Sequence, residues 1–373
     1  MQGDFSDIKD KRGERMEGVE KFEREKEKIL VLSQESGRVY RRPGLEGGRL
    51  CCHAEFHLVD LKTNEIHLHY APSLLQYAIP SSMVSVDNFI YVFGGTRPIF
   101  ESESLELKSL QPLYHKEVFF GGARLRLSFD QSKTEEVWYP FPVPAEYENR
   151  NYPTCTSLVD KIYAFGDVYL APEVLDPAVG HWKRLFLPSH LVGCKISAYA
   201  IPDPSRRRIL VHLSDGQLPS PSIYAFRPED DSSGGEWELI TVDAQDWTHV
   251  AAVVDNVIYF HSRKFPSILR AFDLTSGAWL EVHWETTFDD GLDMNQSRMH
   301  FNALLSLGHN ILCLAVWTPI YESPRLVDTP SKAKIIFRKF KVEQSGATVN
   351  LVPLPSHSFK LPATSSVYGF LPV

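Results

Sequence analysis

The chain has 373 residues, 43% hydrophobic and 12% aromatic, enough for two ordinary domains or one large all-β domain with a substantial core. Its formal charge of −8 and pI near 6.0 argue against a general nucleic-acid or anionic-membrane binder, which needs a basic field to displace counterions. No run approaches the ~18 apolar residues of a membrane helix, and the charged start of the chain lacks the apolar stretch of a secretory signal.

Residues 1–27 alternate acids and bases from Asp4 to Glu27, and Phe22 is nearly the only large apolar residue after Met16. Such a segment buries too little surface to fold alone. It reads as a disordered tail or as a solvated helix with i,i+4 pairs such as Glu17–Lys21 and Glu20–Arg24.

From Lys28 the pattern is β. Strands are expected at 29–33, 54–60 and 65–70, then in four groups of four: 79–85, 89–95, 123–130 and 136–140; 154–158, 162–167, 172–176 and 181–186; 194–201, 208–214, 221–226 and 236–241; 248–253, 257–262, 268–273 and 278–284. A last group takes 300–306, 311–316, 334–341 and 348–353. Three segments repeat: 85–95, 158–167 and 253–262. Each is a strand, a two-residue turn and a second strand of β-branched and aromatic residues. Self-similarity at a period near 50 residues points to a repeat architecture. The first group has three strands, and residues 365–373 supply one strand without a group. Together they complete a sixth blade and close a ring, which removes an exposed edge. The expectation is an all-β, six-bladed β-propeller over 28–373, closed by the C-terminal strand and preceded by a charged tail.

With the strands of each group lettered a to d, two c–d turns place Asp six residues before Trp: Asp176 before Trp182 and Asp273 before Trp279. Asp60 opens a similar turn. Aspartate caps the turn backbone, and Trp on the outer strand fills space between blades. These repeats are similar to degenerate kelch repeats of plant and F-box-associated kelch proteins, over about residues 28–373. The diglycine of that signature is intact at Gly94-Gly95 and drifts to Gly166-Asp167 and His261-Ser262. The resemblance implies a galactose-oxidase-like superfamily propeller acting as a substrate receptor or adaptor. Residues 1–27 contain nothing like an F-box.

Strand direction alternates, so b–c and d–a connections share one face of a propeller. The long connections 34–53, 96–122 and 317–333 (b–c) and 141–152 and 285–299 (d–a) all fall there. Long loops on a rigid scaffold carry function. They hold the Tyr, Trp and Arg residues that dominate binding hot spots: Arg97, Tyr147, Arg150, Tyr152, Trp317 and Tyr321, with Trp247 at the next crossing. A protein partner at this face is the leading expectation, without catalysis or cofactor.

The alternative is a metal enzyme. Glu285, Asp289 and Asp293 resemble the Glu-x-x-x-Asp-x-x-x-His iron site of plant specifier proteins, with Asp293 where His is expected; oxygen ligands suit a hard cation. A sugar- or metabolite-binding channel is a third reading. Cys51, Cys52, His53, His57, His67 and His69 lack zinc spacing, because the cysteines are adjacent, and read as ordinary strand residues. The five cysteines have no C-x-x-C spacing, and Cys155, Cys194 and Cys313 sit in apolar runs. That usage suits a reducing compartment, cytoplasmic or nuclear.

Overall fold

Apolar runs such as Phe89–Phe93 and Val257–His261 are too continuous for a strand with one wet face; they belong to strands covered on both sides. The computed structural model describes residues 27–40, 49–70, 82–93, 96–99, 115–118, 122–126, 138–141, 154–165, 171–191, 199–213, 220–229, 234–241, 250–261, 269–284, 301–320, 332–361 and 365–373. Among them the only helical pieces are single 3₁₀ turns at Ser189–Leu191 and Pro204–Arg206.

The strands pair antiparallel in units of four. Unit one contains β1 (Lys28–Tyr40), β2 (Arg49–Asp60) and β3 (Glu65–Tyr70). Unit two has β4 (Ser82–Val86) and β5 (Phe89–Phe93), then a separate ribbon of β6 (Thr96–Ile99) with β7 (His115–Val118), then β8 (Gly122–Arg126) and β9 (Trp138–Phe141). Unit three is β10 (Thr154–Leu158), β11 (Lys161–Phe165), β12 (Glu173–Asp176) and β13 (His181–Arg184). Unit four is β14 (Tyr199–Asp203), β15 (Arg208–Leu213), β16 (Ser222–Pro228) and β17 (Gly235–Thr241). Unit five is β18 (Ala251–Val254), β19 (Val257–His261), β20 (Leu269–Asp273) and β21 (Ala278–His283). Unit six is β22 (Phe301–Ser306), β23 (Ile311–Ile320), β24 (Lys332–Ser345) and β25 (Thr348–Pro353), with β26 (His357–Leu361) also on β24. The last strand, β27 (Ser365–Pro372), pairs antiparallel with β1 from Ile29↔Pro372 to Glu35↔Ser365.

This succession of antiparallel sheets is a propeller-type all-β arrangement. The first strands β4, β10, β14, β18 and β22 touch in series, and β27 touches both β22 and β4. Side chains tie them: Ser82 Oγ accepts from the Cys155 amide at 2.7 Å, and Ser85 Oγ donates to the Pro372 carbonyl at 3.4 Å. One apolar cluster fills each seam between neighbouring units. Alternation on one strand serves two seams: Ile90 and Val92 face unit one, while Tyr91 and Phe93 face unit three.

The turn chemistry follows the sequence reading. Asp273 Oδ1 accepts from the Thr275 amide at 2.7 Å, Asp176 Oδ1 from the Ala178 amide at 2.9 Å, and Asp60 Oδ1 from the Lys62 amide at 2.9 Å. Gly277 and Gly180 end two of these turns at φ +67 and +76, where glycine alone is unstrained. Trp182 packs edge-on across a seam against Phe93 at 5.6 Å. Burial pushes the Asp273 carboxyl up, but donors from Thr275 and Ser276 outweigh it and hold the group below its ordinary value. A depressed acid stabilises the fold above its unfolded pKa, and that contribution is lost as pH falls through the folded value. Asp273→Ala is therefore expected to cost about 1 kcal/mol at neutral pH. The difference from the parent should shrink below about pH 4, as read by denaturant unfolding at both pH values.

Several features depart from the expected strands. The segments 34–53 and 317–333, expected as loops, are strand at both ends: β1 and β2 stay paired out to Tyr40↔Arg49, and β23 and β24 out to Ile320↔Lys332. The polar, glycine-containing stretch after Leu32 carries no apolar alternation to read, yet β1 stays paired with β2 along it except at the register shift between Glu35 and Arg38. β6, β7 and β26 were likewise not expected. The outer strands β21 and β25 pair parallel over Glu281↔Thr348 to His283↔Asn350, joining units five and six into one nine-stranded sheet.

Gly235 opens β17 under tight packing. A Cβ there would lie 2.3 Å from the Phe226 ring and 2.7 Å from the Arg227 carbonyl oxygen. Phe226 is fully buried and has no room to withdraw. Gly235→Ala is expected to destabilise by about 1–3 kcal/mol, measurable as a shift of the denaturation midpoint with unchanged slope.

Candidate functional site

The ladders decide what rises from the body. β27 stops opposite Glu35 and β3 stops opposite Glu55, while β1 and β2 continue as a two-stranded arm. β22 ends at Phe301↔Trp317, and β23 runs on to Ile320. β6 and β7 form a third ribbon, within the β5–β8 connection. All three are b–c connections, so they share one face, and they belong to units six, one and two, which adjoin through shared apolar clusters. In units three, four and five the same connection spans only 166–172, 214–221 and 262–268. Among the described residues the b–c ribbons are therefore gathered over three adjoining units.

At the base of the unit-one arm lies a buried polar group on the seam with unit six. Ser33 and His57 are hydrogen bonded, Oγ to Nε2, at 2.8 Å, and Glu55 Oε2 lies 3.6 Å from the same Nε2. Ser33, His57 and Glu55 are 0%, 4% and 9% exposed. This is not a nucleophilic triad. The carboxylate approaches the nitrogen that Ser33 already uses, not the opposite one, and Ser33 is closed to substrate. Sequence reading placed His57 among ordinary strand histidines and missed its partners, because Ser33↔Glu55 is set by register between β1 and β2.

Of the sequence-derived partner residues, Arg97 lies in β6 opposite Glu117. Trp317 is 8% exposed and packs in the unit six–unit one seam with Ile335 and Phe337. Tyr147, Arg150, Tyr152, Trp247 and Tyr321 lie outside the described residues, as do Glu285, Asp289 and Asp293. Among the described residues no group of three or more His, Cys, Asp or Glu is arranged to hold a metal, and no helix is long and apolar enough to cross a membrane.

Two thiols are described, Cys155 and Cys313, both free and buried. Burial pushes Cys313 up to about 12, slightly offset by Lys339, so it packs as a small apolar residue and not as a nucleophile.

No family model matches the chain, and no curated protein matches it. Solved structures of similar shape include YjhT, 9% identical over 81% of this chain and 94% of that one, with a TM-score of 0.49. A protein from Lactobacillus plantarum is 12% identical over 92% and 99%, with a TM-score of 0.38. YCF48 bound to D1 peptide is 9% identical over 88% and 82%, with a TM-score of 0.39.

Proposed function

We propose that this chain is a non-catalytic interaction scaffold, a recognition adaptor that binds another protein through the face bearing the b–c and d–a connections. In this reading residues 28–373 form a six-bladed, kelch-like propeller closed by the C-terminal strand, and residues 1–27 are a charged tail. The observation that carries the proposal is the gathering of three b–c ribbons over adjoining units on one face. A rigid body with relief concentrated on one sector suits a protein surface better than a small molecule, which asks for a concave, enclosed site. Arg97, Tyr147, Arg150, Tyr152, Trp247 and Tyr321 are the proposed contact residues, with Trp317 as buried support.

Metal content of the purified protein tests this against the enzyme alternative. The scaffold reading expects no stoichiometric metal. Stoichiometric iron or another divalent cation, lost in Glu285→Ala/Asp289→Ala, would replace it with a metal-dependent activity at the 285–293 segment.

A further inference from the structure

We propose that the outer edge of β17 is a second docking site, separate from the ribbon face, which takes an extended peptide segment of alternating apolar and basic residues as an added strand. Among the described residues no strand pairs with that edge. At seven residues β17 is longer than the other outer strands with open edges, β3, β9 and β13. Five consecutive positions, Gly235 to Glu238 opposite Pro228 to Ala225 and Leu239 opposite Tyr224, keep regular register before the shift beside Ile223. The molecule already uses an outer edge this way, since β21 accepts β25 in parallel.

The side chains define what would fit. Phe186 and Leu239 are exposed at 67% and 48%. They flank Trp237, which points to the same side of β17 as Leu239 and donates its indole N–H to the Phe186 carbonyl at 3.2 Å. Apolar surface of this kind beside an open edge is a ready contact for the alternate side chains of an added strand. The opposite side of β17 carries exposed Glu236 and Glu238, of which Glu238 pairs with Arg227 at 2.7 Å, leaving one net negative charge along the edge. A second copy of β17 fits poorly: antiparallel pairing about Trp237 sets Glu236 opposite Glu238, and like charges directly opposed are unfavourable. Lysine or arginine at those positions relieves the repulsion, while the intervening apolar residues meet Phe186 and Leu239.

The test is calorimetric titration of the full chain with a seven-residue peptide alternating Val and Lys, beside one alternating Val and Glu. The Val/Lys peptide should bind and the Val/Glu peptide should bind at least about tenfold more weakly. Leu239→Asp and Phe186→Ser, both at exposed positions, should each weaken the Val/Lys peptide while leaving the melting temperature within a degree or two. Failure of the Val/Lys peptide to bind, equal binding of both peptides, or affinity unchanged in both variants would overturn the proposal. Because this edge is independent of the b–c ribbons, neither result bears on the scaffold face.

Discussion

Ending the chain after Ala363 is expected to abolish cooperative folding, leaving a protein without a sharp thermal transition. The deletion removes β27, so β1 loses its partner over seven register positions and exposes a long apolar edge. It also takes Val367 and Phe370 from the seam between units six and one, and Leu371 and Val373 from the seam between units one and two. At about 1.5–3 kcal/mol per fully buried side chain, even partial burial of four such residues amounts to several kcal/mol, comparable with the whole stability of a domain. A truncated protein that melts sharply within a few degrees of the parent would refute closure. A milder variant, Val367→Asp, keeps the backbone pairing and should still lower the midpoint strongly by burying an unpaired carboxylate.

The second large effect is expected at Asp203→Ala, about 3–5 kcal/mol. Asp203 and Arg208 face each other across the first hairpin of unit four, with Arg208 Nε donating to Asp203 Oδ2 at 2.8 Å and side-chain exposures of 2% and 0%. Ser205 Oγ donates to the other carboxylate oxygen at 2.7 Å, which fixes the one-turn helix between the strands. Removing the aspartate leaves a guanidinium buried and uncompensated. One of its nitrogens, Nη2, already has no hydrogen-bond partner among the described residues, so little is available to rescue it. Asp203→Ala combined with Arg208→Met removes the stranded charge and should recover much of the loss. Equal stability of single and double variants in urea would show that the pair carries no such energy.

How far the sequence reading reached depended on what each segment buries. Strands such as β5, β11 and β19 announce themselves because they face two seams and read as unbroken apolar runs between turn residues. The turns were legible for a different reason: a short acceptor such as Asp176 or Asp273 satisfies the amides of a tight corner, and glycine, or Asn64 in the turn opened by Asp60, takes the positive φ at its end. The arm beyond Leu32 was invisible, because its sequence, Ser33-Gln-Glu-Ser-Gly-Arg-Val-Tyr40, is polar with no apolar alternation to mark a strand. β26 escaped notice because a five-residue strand on an already complete four-strand unit has no place in the repeat. The Ser33–His57–Glu55 group depends on cross-strand register, which one-dimensional pattern does not fix. Of the candidate contact residues, Trp317 illustrates the limit of composition: a Trp within a loop-like stretch reads as a hot spot, while its strand position places it in a seam.

The most direct test of the scaffold proposal compares proteins captured by the intact chain with those captured by Tyr147→Ala/Arg150→Glu/Tyr152→Ala, each bait first checked for an unchanged melting temperature. The account predicts a defined partner, recovered in stoichiometric amount by the intact chain and lost from the triple variant. Full recovery of that partner by the triple variant, and by a second bait carrying Arg97→Glu and Trp247→Ala, would contradict recognition through this face.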